Sequence, residues 1–397
     1  MSDAPALPAR HPGLALVALI VGGFAVGTTE FVSMGLLPQI ADGVGIDIPT
    51  AGHLVSAYAV GVVVGAPTIA VLCARLPRRG LLLALMGLFA LGNAAGAVAE
   101  SYPTLLAARF LAGVPHGAYF GVATLVAASL VPSDRRGRAI GRLMYGIPAA
   151  NLVGVPLTTW VGQHLGWRTA YWFVASLGLL TIALVLSQIP SAPGNPHATG
   201  RNELAGLRSL QLWLSLAAGS FGFGGMFAMY AYIAPTVTTV THQPEDSVPV
   251  YLFVYGVGGL LGAEVAGRLS EWSIFRSVVL GFASMGLCLL AFAAVSRWHL
   301  AGLLVFGLAA AVASVLVINL QMQLMHDAGS AETLGAALNH SGLNLANALG
   351  AWLGGLVIAA GHGYPAASVV GAGLAVVGLL VLVPYRVLDR RTGSPLR

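Results

Sequence analysis

Glu30 sits in the middle of an apolar run that begins near Gly13 and ends at Pro38. At helical spacing Gly23, Gly27, Glu30 and Met34 share one face, which is small and smooth except for one carboxyl. A carboxylate at membrane depth costs about 2.5–3.5 kcal/mol on insertion scales. Two roles offset that cost. The carboxyl can take up and release a proton as its access to water changes, or it can stay neutral as a structural hydrogen-bonding group. Arg109 lies in another apolar run and shares a face with Gly113, His116 and Phe120. A guanidinium keeps its charge and must find an anion, a carbonyl or water. It can tune a carboxylate or a proton relay, or it can snorkel to the surface about two turns away. The His116 imidazole titrates near neutral pH in water, and it can equally serve as an interhelical hydrogen-bonding group. Glu30, Arg109 and His116 are the candidate proton-coupling residues.

A second group could hold an organic ligand. Phe223, Phe227 and Tyr230 share a face, with Met226, Met229 and Tyr232 nearby. Flexible methionines and flat aromatics suit a pocket for varied amphipathic molecules, and they also suit plain helix packing. Phe120 and Asn319 complete the candidate substrate-binding set. Asn151, Asn344 and Asn347 read as bonds between helices. Glu264 and Glu271 read as partners for loop arginines.

These residues need spans to hold them. The chain has 397 residues, 57% hydrophobic and 8% charged, against about 25% charged in a soluble domain. Apolar segments long enough to cross a bilayer fall near 13–37, 50–72, 80–99, 103–126, 138–163, 168–189, 210–237, 248–268, 276–296, 300–325, 335–360 and 364–385. The expected fold is therefore an all-α polytopic membrane protein of twelve transmembrane helices. All 19 basic residues are arginines. With the N-terminus inside, 16 of the 19 lie in inside loops or termini, so both termini are expected in the cytoplasm.

Several functions are excluded or disfavoured. Without lysine there is no P-loop ATPase site and no Schiff base. Cys73 and Cys288 are far apart and suggest neither a disulfide framework nor a metal site. Arginines confined to short loops are no nucleic-acid signature. No cofactor is expected. G-x-S-x-G, H-E-x-x-H and C-x-x-C are all missing, which argues against a membrane enzyme or sensor.

The polar stretch around 190–209, rich in Pro, Gly and Asn, reads as a cytoplasmic linker between two six-helix halves, 1–189 and 210–397. The halves repeat at offset 197: Tyr58-Ala59-Val60-Gly61 matches Tyr255-Gly256-Val257-Gly258, and Gly65-Ala66 matches Gly262-Ala263. Parallel-related halves are a transporter plan. The third and sixth spans of each half are the blandest and are expected to face lipid.

Specific motifs agree. Arg75-Leu76-Pro77-Arg78-Arg79 after the second span, and Gly267-Arg268-Leu269-Ser270-Glu271 after the eighth, resemble the G-x-L-x-D-R-x-G-R-R loop of the major facilitator superfamily. Gly27–Ala41 is similar to the first span of that family's twelve-span drug:proton antiporter branch. Arg109–Gly121 resembles its R-x-x-x-G motif. Gly146–Pro156 resembles its antiporter motif, with the glycine-proline pair split as Gly154-Val155-Pro156. The resemblance covers nearly the whole chain and is to arabinose-efflux-like and chloramphenicol-exporter-like members. It implies a bacterial inner-membrane protein, acting as a monomer, that exports small amphipathic molecules by alternating access in exchange for protons. A sugar or nucleoside exporter, or an uncoupled facilitator of the same fold, is the alternative.

Overall fold

The computed structural model describes residues 11–73, 75–132, 135–191, 209–329 and 332–392. Of the expected linker 190–209, residues 192–208 lie outside the described residues, as do Arg10 and Arg397. Among the described residues all regular structure is helical. In lipid a helix is one of only two ways to satisfy every backbone polar group.

Span 1 runs Pro12–Gly35, breaks at Leu36 and resumes as Leu37–Gly43. Pro38 has no N–H to continue the ladder. Span 2 is Ile48–Leu72, capped by the Asp47 carboxylate, which accepts from the Thr50 amide at 2.9 Å. Span 3 is Arg78–Val98, and span 4 is Tyr102–Ser129, opened by a reciprocal Ser101–Thr104 cap. Span 6 is Trp167–Gln188. Span 7 is segmented as Leu210–Gly222, Gly224–Ala231, Ile233–Pro235 and a wide turn Thr236–Val240. Spans 8, 9 and 10 are Ser247–Trp272, Ile274–Val295 and His299–Asp327. Span 11 is Glu332–Val357, continued by a wide turn Ile358–His362, and span 12 is Pro365–Thr392.

Eleven described helices are long and apolar enough to cross a membrane. The stretch expected as span 5 is not among them, because no single helix in it is long enough. It is built from Arg136–Leu143, Gly146–Ala149, a π-turn Ala150–Gly154 and Val155–Leu165. Pro156 lacks an amide donor and its ring crowds the carbonyl one turn earlier, so the π-turn absorbs the mismatch.

Small residues let the spans touch. A Cβ on Gly61 would meet the Phe110 carbonyl, and one on Gly65 the Val114 carbonyl, so spans 2 and 4 are in backbone contact. Gly258 and Gly262 do the same to Gly307 and Ala311, joining spans 8 and 10. Both members of each pair correspond at offset 197, so the repeat is one of packing as well as of sequence. Between the bundles, span 2 lies along span 11 and span 5 against span 8. At the arginine-poor end Gln39 donates to the Glu245 carboxylate (2.8 Å), Gln163 to the Glu245 carbonyl (3.0 Å), and His164 pairs with Asp246 (3.3 Å). These contacts bridge the two bundles there. Spans 3, 6, 9 and 12 turn Leu91, Leu179, Leu287 and Leu380 outward.

Candidate functional site

Thr29, beside Glu30, organises the polar centre. Its hydroxyl donates to Asn93 Oδ1 at 2.5 Å and accepts from Arg109 Nη1 at 3.2 Å, and its carbonyl accepts from Arg109 Nη2 at 3.2 Å. Asn93 in turn donates to the Phe89 carbonyl at 2.9 Å. The guanidinium lies over the Tyr58 ring at 4.4 Å and near the Tyr171 ring at 5.7 Å, while the Tyr171 hydroxyl bonds Ser33 at 2.9 Å. Arg109 is 1% exposed. It does not snorkel, because its charge is met inside by two hydrogen bonds and an aromatic face.

Glu30 is 6% exposed. No ion pair within 4 Å joins it to Arg109 among the described residues, and the guanidinium bonds the neighbouring Thr29 instead. From span 11 the buried Asn347 amide lies toward Glu30, and neither of its polar atoms has a hydrogen bond of normal geometry. The polar string continues away from Glu30. Tyr58 and His116 share a hydrogen bond (hydroxyl to Nδ1, 3.0 Å), His116 abuts Phe120 (5.6 Å between centroids), and Phe120 stacks on His340 of span 11 (5.5 Å, 2° between planes). Arg109 and His116 are thus linked through Tyr58, and Phe120 lies at the end of this string rather than among the other aromatics.

Phe31 joins the centre to the other bundle. Its ring stacks on Phe227 (6.3 Å, 15°) and meets Tyr230 edge-on (5.2 Å). Phe223 packs against Phe227 at 5.6 Å, Tyr230 against Tyr255 at 4.7 Å, and Tyr255 against Phe306 at 5.0 Å. The Tyr255 hydroxyl donates to Met226 Sδ at 3.0 Å. Phe223, Met226, Phe227 and Tyr230 therefore converge. Asn319 does not join them. Its amide donates to the Val315 carbonyl and accepts from Ser270, 13 residues and some 20 Å of helix beyond Phe306.

The two bundles fill equivalent places with opposite chemistry. At offset 197 Glu30, Tyr58 and Arg109 correspond to Phe227, Tyr255 and Phe306. In one half an arginine lies over the tyrosine ring, and in the other a phenylalanine packs against it.

The motif residues are placed as follows. Arg78 and Arg79 donate to the Leu125 and Leu186 carbonyls near the ends of spans 4 and 6 (3.4 and 2.6 Å), where cations complement helix C-termini. Arg75 is exposed. Gly146 allows spans 1 and 5 to touch: a Cβ there would lie 2.8 Å from the Gly23 carbonyl carbon. Gly154 makes room for Thr28 and Phe24, and Pro156 follows the π-turn. Gly267 and Glu271, expected in a loop after span 8, belong to its last helical turns, because that helix runs to Trp272. Glu264 lies 4.0 Å from Arg268 at an exposed i,i+4 spacing, while Glu271 has no ion pair among the described residues.

Sequence reasoning missed a second buried acid, Asp327. It accepts from Ser215 (2.6 Å) and Tyr385 (2.9 Å), lies 3.3 Å from His326, and ties spans 7, 10 and 12 at the arginine-rich end. It also missed Phe31, Tyr58, Tyr255, Phe306 and His340.

Comparison with known proteins agrees with this architecture. The sequence profile of the Major Facilitator Superfamily matches residues 19–337. The chain belongs to the major facilitator superfamily, whose fold and relatives are those of membrane transporters rather than enzymes. It is 38% identical over 367 residues to the inner membrane transport protein YdhP of Escherichia coli K12, covering 92% of this chain and 94% of that one. It is 35% identical over 385 residues to the chloramphenicol resistance protein of Streptomyces lividans, covering 94% and 96%. In fold it is similar to the xylose transporter XylE of E. coli in a partially occluded inward-open conformation, with TM-score 0.71 and 16% identity over 94% of this chain and 98% of that chain.

Proposed function

We propose that this transporter exports small amphipathic organic molecules, of the chloramphenicol kind, in exchange for protons. Glu30 carries the proton, and Arg109, held by Thr29 and Tyr58, sets the electrostatics of that carboxyl. Phe31, Phe223, Met226, Phe227, Tyr230 and Tyr255 offer the organic substrate an aromatic and thioether surface. The observation that carries the reading is the adjacency of Glu30 and Phe31: Glu30 is buried beside Thr29, which binds Arg109, and the next residue packs on Phe227 and Tyr230 of the opposite bundle. Proton state and substrate contact thereby share one interface, which is what coupling requires. The name of the Streptomyces relative supports the substrate class.

In this reading residues 1–189 and 210–397 rock as two bodies joined by the linker 190–209. The arginine-rich face is cytoplasmic, as the positive-inside rule asks, with both termini on that side. An inside-negative potential favours proton entry by about 2.3 kcal/mol per charge per 100 mV. The test is proton movement in proteoliposomes on adding a panel of chloramphenicol-like drugs, pentoses and nucleosides. Alkalinisation of the lumen with the drugs alone supports the reading, and acidification makes the protein a symporter. Substrate flux with no proton movement for any member makes the protein a facilitator, and a response confined to pentoses or nucleosides makes it an exporter of those.

A further inference from the structure

A cavity of about 350 Å³ opens at the arginine-rich end, away from the central aromatics. Its apolar walls include Leu16 from the start of span 1 and Leu130 and Val131 from the end of span 4. Arg135, Arg138 and Arg142 line the rest, from the short helix Arg136–Leu143 and the residue before it. Positions 135, 138 and 142 share one helical face, while Leu143 is buried. The segment is a short amphipathic helix of the kind that lies in a membrane interface. Among the described residues no carboxylate lies within 4 Å of Arg138 or Arg142. Across 133–143 the sequence sets four arginines against one acid, Asp134.

Several cations on one side of a ligand-sized cavity with an apolar floor match an anion that carries an apolar tail. Guanidinium forks suit phosphate oxygens better than any other common anion. We propose that this cavity is a binding site for a phosphate-bearing anion, with its phosphate on Arg138 and Arg142. The apolar floor favours an anionic phospholipid of the adjoining leaflet, and a free phosphate ester shares the same recognition chemistry. Occupancy braces the ends of spans 1 and 4, the two helices that carry Glu30 and Arg109. The site is independent of which molecule the protein exports.

The test uses the full-length protein in neutral detergent, titrated with phosphatidylglycerol and with phosphatidylcholine of the same chains, and read by native mass spectrometry. Phosphatidylglycerol should bind about tenfold or more tightly than phosphatidylcholine, and R138Q/R142Q should lose most of that preference. Gly13 also lines the cavity and has open space at its Cβ position. G13F therefore fills the site without touching a charge or crowding the fold, and it should weaken phosphatidylglycerol binding by a similar factor while leaving the unfolding temperature unchanged. Displacement of the lipid by millimolar inorganic phosphate assigns the site to free anions, and persistence of the lipid assigns it to the leaflet. Equal binding of both lipids with no effect of phosphate, or wild-type binding by both variants, overturns the proposal.

Discussion

Replacing Arg109 by lysine keeps the buried charge and removes the fork. In the native arrangement Nη1 bonds the Thr29 hydroxyl and Nη2 the Thr29 carbonyl, both at 3.2 Å, with the plane 4.4 Å over Tyr58. An ammonium can keep one of those bonds. The lost charge-assisted bond is worth about 1.5–3 kcal/mol, and a weakened cation–π contact adds roughly 0.5–1 kcal/mol. A loss of about 2–4 kcal/mol in the state that holds this geometry corresponds to thirtyfold or more in the equilibrium it controls. Transport driven by an imposed pH gradient in proteoliposomes should fall by at least tenfold in R109K. Thr29→Val removes the hydroxyl that accepts from Arg109 and keeps the carbonyl. In a double-mutant cycle on the transport rate, R109K and T29V should couple by about 1 kcal/mol or more. Effects that add to within about 0.5 kcal/mol, or an R109K protein with wild-type rate and pH dependence, would refute the assignment of Thr29 as the residue that aims this guanidinium.

Other expectations follow from contacts at single positions. Gly61→Ala and Gly258→Ala, equivalent at offset 197, each push a Cβ into a facing carbonyl and should each cost about 1–3 kcal/mol; both should lower the thermal unfolding midpoint, whereas Gly121→Ala, with open space at its Cβ, should not. Phe227→Ala removes the ring that stacks on Phe31 and meets Phe223 edge-on; resistance profiles in a drug-sensitive host should change their order, while proton-driven transport of the remaining substrates persists. Asp47→Ala should cost about 1 kcal/mol through the lost cap of span 2. Hydrogen bonds from Thr50 hold the Asp47 carboxyl below the usual carboxylate range, so the wild type keeps that increment above the ordinary carboxylate pKa and loses it only as pH falls through the lowered value; loss of the increment already at neutral pH would contradict this.

The burial of Glu30, Arg109 and His116 was legible because a charged or titratable group inside an apolar run is conspicuous on cost alone. His340 meets the same criterion and was passed over, although it stacks on Phe120 from the other bundle. Phe31, Tyr255 and Phe306 were not legible as a group. An aromatic in an apolar span reads the same whether it packs in a core or faces a ligand, and only the crossing of spans 1, 7, 8 and 10 selects these three. The repeat at offset 197 did contain part of the answer. It aligned Tyr58 with Tyr255, and the structure sets each tyrosine against the residue the same offset relates, Arg109 in one half and Phe306 in the other. The break in span 5 was spelled by Gly154 and Pro156, yet hydropathy alone runs through it, since a π-turn changes backbone pairing and leaves composition untouched. The polarity of Asn319 suggests a ligand contact, whereas its bonds to Ser270 and Val315 satisfy it within the protein, away from the aromatic cluster.

The central claim is that Glu30 carries the coupled proton, and Glu30→Gln in proteoliposomes tests it most directly. The amide keeps the shape and hydrogen-bonding capacity of the neutral acid and cannot ionise. The account predicts that this variant still exchanges labelled substrate across the membrane at equal concentrations, and that a pH gradient no longer drives accumulation. Accumulation against a substrate gradient by Glu30→Gln, with the pH dependence of the wild type, would contradict it.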